Sequence, residues 1–162
     1  MKEIDRQREL YRETLGMLGV EDVVAAGPVM AAQPQVRGAV KRWLKRRGGS
    51  THPADRIAGL NVLALAAGAL WLYRAPKWGP GGIPTIDRLV GWWPVADVTL
   101  ASTYKELASL DYDTGNTYKT KVVLLGIKAE GDDRITLLHG LQNDQTRELV
   151  REIKRATGQR KD

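Results

Sequence analysis

The chain has no cysteine and no phenylalanine among its 162 residues, and only two histidines. Without cysteine, disulfide frameworks, zinc–thiolate sites and cysteine nucleophiles are excluded, and a reducing compartment suits the composition. Without phenylalanine, the five Trp and five Tyr are the only aromatic anchors. His52 and His139 show no HxH or HExxH spacing, so no metal site is expected. They read as a loop residue and a strand-end residue.

Long apolar runs are also scarce. The longest charge-free stretch, residues 57–73, is 17 residues between Arg56 and Arg74. That is the lower limit for a membrane-spanning helix. It is rich in Ala and Gly and contains Asn61, and its two basic flanks give no orientation bias. A soluble reading is preferred. The N-terminus, MKEIDRQREL, is charged from its second residue and lacks the apolar core of a secretory signal. The expected location is cytoplasmic, or peripheral at a membrane.

Charge is present in abundance and unevenly placed. The chain carries 25 basic and 19 acidic residues, a net charge of +6. Residues 33–53, QPQVRGAVKRWLKRRGGSTHP, hold Arg37, Lys41, Arg42, Lys45, Arg46 and Arg47 and no acid, so the remainder has 19 of each sign. Val36, Val40, Trp43 and Leu44 fall at helical spacing within it, with cations over the rest. The segment reads as a short basic amphipathic helix or an ordered loop.

The remaining elements follow from periodicity and turn chemistry. Residues 2–18 alternate acid and base around Ile4, Tyr11, Leu15 and Leu18, an amphipathic helix that by preference docks on the domain, the alternative being one that pairs with a partner or with itself. Residues 23–32 read as a first strand, with Pro28 marking an edge or bend. Residues 60–74, LNVLALAAGALWLYR, are compatible with one buried helix; two strands, 61–66 and 69–74, turning at Ala67-Gly68, are preferred. The Pro- and Gly-rich residues 75–84 are expected to be loop. Strands are expected at 88–93, 95–103, 117–128 and 134–139, with 104–113 open between a helical turn and a strand extension. Residues 142–157 form the clearest helix, capped by Asn143 or Asp144, with Lys154 and Arg155 in its last turn. Of the adjacent pair Trp92 and Trp93, one is expected in the core and the other either exposed as a partner surface or, by preference, covered by the N-terminal helix.

Three stretches, VLALAAGALWLYR, WWPVADVTLAS and RITLLHGLQNDQTRELVREIKRA, follow one another as in a known fold. Seven strands followed by one helix resemble the pleckstrin-homology-like superfold in its bacterial, GRAM-like form. The resemblance implies a mainly β domain with α: a seven-stranded antiparallel barrel or sandwich capped by a C-terminal helix. It covers about residues 20–157. The organisation expected is an N-terminal helix over 1–19, a domain over 20–158 with a basic insertion at 33–58, and a polar tail at 159–162. In that superfold the connection after the first strand commonly binds lipid headgroups through Lys and Arg, and here Lys41, Lys45, Arg46 and Arg47 occupy it.

Catalytic patterns are not legible. No Ser-His-acid arrangement stands out. Asp111, Asp113, Gly115 and Asn116 suggest a calcium loop, but the glycine falls one position early and Val122 stands where a bidentate Glu is required. Gly79, Gly81 and Gly82 precede no Lys-Ser/Thr pair, so they are not a phosphate loop. The expectation is a non-enzymatic binding or adaptor module without cofactor or metal. Its site is Arg37, Lys41, Arg42, Trp43, Lys45, Arg46 and Arg47, the cations attracting an anionic surface and Trp43 inserting. The partner expected first is an anionic membrane surface. An acidic protein partner with no lipid ligand and a nucleic acid bound by the same cations are the alternatives.

Overall fold

The computed structural model describes residues 2–31, 59–110 and 113–158, with backbone alone at 107–110 and 118. A helix, α1 (Glu3–Met17), leads into β1 (Val23–Ala31). β2 (Leu60–Ala66) and β3 (Ala69–Arg74) follow as a hairpin. A two-rung hairpin, β4 (Lys77–Trp78) and β5 (Pro84–Thr85), precedes β6 (Arg88–Pro94). The chain then turns through a 3-10 segment (Val95–Asp97) into the long pair β7 (Val98–Leu110) and β8 (Thr117–Ala129). β9 (Thr136–Leu141) and the terminal helix α2 (Asp144–Ala156) complete the order.

All seven long strands form one antiparallel sheet, in the order β6-β3-β2-β1-β9-β8-β7. Its halves meet at β1 and β9, which share only Met30↔His139 and Ala31↔Leu138. The sheet folds over at that junction. Leu63, Leu72 and Trp93 from one half share a core with Leu100, Leu125 and Leu138 from the other, and with Leu149, Val150 and Ile153 of α2. The result is a mixed α/β sandwich, consistent with a generic pleckstrin-homology-like fold. The barrel alternative is corrected: β6 and β7 are the two ends of the strand order and do not pair, so the sheet does not close.

Residues 57–73 now have a physical explanation in their described part. β2 is buried along its whole length because both of its faces are covered. Leu63 and Leu65 point into the main core, while Val62, Ala64 and Ala66 lie in a second layer under Tyr11 and Leu15 of α1. A strand covered on both sides reads as continuous hydrophobicity, which is also how a membrane helix begins to look. No helix among the described residues is long and apolar enough to cross a membrane. The tight turn is real: Ala67 and Gly68 have φ of 50° and 71°, the pair of positive values that a two-residue hairpin requires.

Other expectations are adjusted. Residues 75–84 are not wholly irregular, since β4 and β5 close a small hairpin over a 3-10 turn at Pro80–Gly82. Residues 104–110 continue β7 and do not form a helical turn. One of the tryptophan pair, Trp93, is in the core; the other, Trp92, takes the exposed alternative and not the preferred cover by α1: it is 50% exposed, edge-on to Trp71 with ring centroids 6.1 Å apart. Gly91 makes the Trp93 position possible, because a Cβ there would lie 2.6 Å from the Trp93 ring. At the C-terminus, Asn143 Oδ1 accepts the Thr146 amide at 2.9 Å and caps α2.

Candidate anionic-surface site

The backbone brings two connections to one end of the sheet. Ala31 donates its amide to the Gly59 carbonyl at 3.0 Å, so the chain leaves β1 and returns to β2 at a single rung. Beside that rung, Ala75 donates to the Leu60 carbonyl at 3.2 Å, where β3 gives way to the connection leading to β6. The β1–β2 and β3–β6 connections therefore share a rim. Antiparallel pairing dictates this: consecutive hairpin strands put alternate connections at the same end.

All seven site residues expected from sequence, Arg37, Lys41, Arg42, Trp43, Lys45, Arg46 and Arg47, lie in the β1–β2 connection outside the described residues. The same holds for His52 and for the acid of the rejected calcium loop, Asp111. What the structure does describe is the neighbouring part of the rim.

That rim is itself cationic. Arg74 ends β3, Lys77 lies in β4 and Arg88 begins β6 opposite Arg74. Asp87 is the one acid in the stretch from 74 to 88, which nets +2. Its carboxylate approaches Arg74 Nε only to 3.8 Å, and that buried nitrogen has no hydrogen-bond partner. Next to Lys77 stands Trp78, 61% exposed. An exposed indole beside cations is an arrangement suited to an interface with one apolar and one charged side. Sequence reasoning passed over these residues because the Pro and Gly around them read as loop. The legible signal was a lone Trp between Lys77 and Gly79.

Elsewhere the side chains converge less. His139 sits in β9 across from Met30 and Leu124, half-buried, and burial pushes its pKa below the usual value. Tyr11 of α1 is buried at 1% exposure; its hydroxyl has no hydrogen-bond partner, and burial raises its pKa. An open depression of about 360 Å³ between α1 and β1 is bordered by Arg12, Gly16, Val20, Glu21, Asp22 and Val23. There the Arg12 guanidinium is committed to the Val23 carbonyl at 3.3 Å. Among the described residues no three His, Asp or Glu side chains cluster to hold a metal ion.

Comparison with protein-family models, with curated proteins and with solved structures finds no match to this chain.

Proposed function

We propose that the chain is a non-enzymatic binding module of pleckstrin-homology-like fold that docks on an anionic membrane surface through its β1–β2 connection. The observation that carries the reading is the confinement of the whole +6 excess to residues 33–53. Those residues are rooted at Ala31 and Gly59, beside a rim that already bears Arg74, Lys77, Arg88 and an exposed Trp78. Each cation near an anionic bilayer contributes about 1 kcal/mol. Trp43, Leu44 and Trp78 add the apolar insertion that separates interfacial docking from loose attraction.

In this reading the anionic surface meets two connections at once. Arg37, Lys41, Arg42, Lys45, Arg46 and Arg47 supply the longer-range attraction, which salt weakens. The Arg74 guanidinium, part-exposed and no closer than 3.8 Å to Asp87 at its Nε, adds positive charge at the rim. The sheet and α2 act as the rigid support. Co-sedimentation with vesicles of neutral lipid and of lipid containing an acidic fraction tests the proposal. Preference for the acidic vesicles at low salt supports it. Equal sedimentation with both, or retention only by a nucleic-acid duplex, refutes it.

A further inference from the structure

Trp78 stands at the rim on an element that cannot hold its own shape. The β4–β5 hairpin has two rungs, Lys77↔Thr85 and Trp78↔Pro84. Pro84 has no amide to give, and a ribbon this short is not stable alone. Its turn adds a hydrogen bond from the Gly79 amide to the Ile83 carbonyl at 2.8 Å. Gly81 and Gly82, at φ of 77° and 79°, hold the tip in a conformation that glycine adopts freely, with no side chain to pack.

The order of this hairpin therefore comes from what it rests on. β5 has its own anchor: Pro84 is buried, and Ile83 before it lies in the layer shared by Tyr11, Leu15 and Val62. On β4 both Lys77 and Trp78 are exposed, so that strand is carried by its rungs and by the turn. The turn is met by α1. A Cβ built on Gly81 would lie 2.6 Å from Leu10 Cδ1, and one on Gly82 would lie 3.7 Å from Gln7 Nε2. Gln7 and Leu10 are three residues apart and share a face of the helix. Leu10 also packs, half-buried, against the layer that holds Ile83. One leucine thus touches both the turn and the layer beneath it.

We propose that Leu10 is a positioning residue for Trp78: it braces the Pro80–Gly82 turn against α1, and so fixes β4 and its indole at the rim. The helix is itself secured at both sides, by Arg12 to the Val23 carbonyl and by Arg8 to Glu148. A braced hairpin presents the indole without an ordering cost at the moment of docking. The use made of Trp78 rests on the membrane reading above; the bracing of the hairpin does not.

The test therefore has two arms, both on the full chain. Without lipid, Leu10→Ala should speed hydrogen exchange at the Gly79 amide about tenfold while leaving the amides of β2 and β3 unchanged. Leu10→Met should restore the protection, and Met17→Ala, on the same helix at an exposed position, should leave it intact. Circular dichroism melting checks that the variants fold. Gly79 exchange indifferent to Leu10→Ala, or faster only in step with the whole sheet, overturns the proposal. With vesicles of phosphatidylcholine containing phosphatidylserine, Leu10→Ala should weaken binding as Trp78→Ser does, and the double variant should bind no more weakly than Trp78→Ser alone. Additive losses overturn the assignment of Leu10 to Trp78. A wild type that does not bind these vesicles refutes the membrane reading instead, and the exchange arm then decides the bracing by itself.

Discussion

Arg8 of α1 and Glu148 of α2 meet at 2.7 Å although they are 140 positions apart in the chain. The guanidinium also holds Asp5 at 3.1 Å, so the N-terminal helix is tied to the C-terminal one by its second turn. Both side chains are mostly covered, at 31% and 21% exposure. We expect a double-mutant cycle with Arg8→Ala and Glu148→Ala to give a coupling of about 1 kcal/mol in urea unfolding. Within α1, the neighbouring Arg6–Glu3 pair is well exposed, and its cycle should give clearly less. A coupling near zero for Arg8–Glu148 would mean that this ion pair adds nothing to the packing of Tyr11 and Leu15 and the Arg12–Val23 hydrogen bond that hold α1.

Tyr11 offers a pH-dependent check on the same helix. Its hydroxyl is buried without a partner, and burial raises its pKa above the usual 10.0. A raised folded-state pKa contributes stability that is complete below the unfolded value and is lost as pH climbs through and beyond it. Stability should therefore fall above about pH 10, with Tyr73, whose pKa burial also raises, adding to the loss in the same direction. Tyr11→Phe removes an unsatisfied hydroxyl, so it should be neutral or slightly stabilising at pH 7 and should lessen the alkaline loss. Tyrosinate absorbance alongside unfolding curves reads both effects.

His139 gives the opposite dependence. Burial lowers its pKa from 6.5, so the unfolded chain takes up a proton before the folded one does. Stability should fall as pH drops below about 6.5. An NMR titration of the imidazole should show the low value directly, and His139→Asn should flatten that part of the stability profile. An imidazole that titrates at or above 6.5 would contradict the burial seen in β9.

The adjacent tryptophans should separate sharply. Trp93 is in the core at 8% exposure, and Trp92 is 50% exposed against Trp71. Trp93→Ala should cost about 3–5 kcal/mol, whereas Trp92→Ala should cost about 1 kcal/mol, the scale of one aromatic pair. Urea unfolding of the two variants distinguishes them, and fluorescence quenching should reach Trp92 first.

Local chemistry made much of this fold readable, and long-range packing accounts for what was not. Asn143 before an apolar face announced α2, and Ala67-Gly68 announced a hairpin. The continuous burial of β2 was legible as hydrophobicity but not as a cause, because the cause is α1 lying over Val62 and Ala64 from far away in sequence. The same distance explains Trp92: alternation says that two neighbours face opposite ways, but where α1 lies across the sheet is a tertiary fact. Barrel closure failed as an expectation because strand count does not specify whether β6 and β7 approach. At the candidate site, the cations at 37–47 were visible as a run, while Arg74, Lys77, Trp78 and Arg88 become neighbours only when the β3–β6 connection folds to the rim of β1 and β2.

The measurement that bears most directly on the proposed function is binding to acidic vesicles by the wild type and by the variant with Arg42, Lys45, Arg46 and Arg47 all changed to Ala. Removing four cations should lower the low-salt partition coefficient by about a thousandfold at about 1 kcal/mol each, with unchanged thermal unfolding. Trp78→Ser should weaken binding further without altering its salt dependence. A quadruple variant that binds acidic vesicles as well as the wild type would contradict the account.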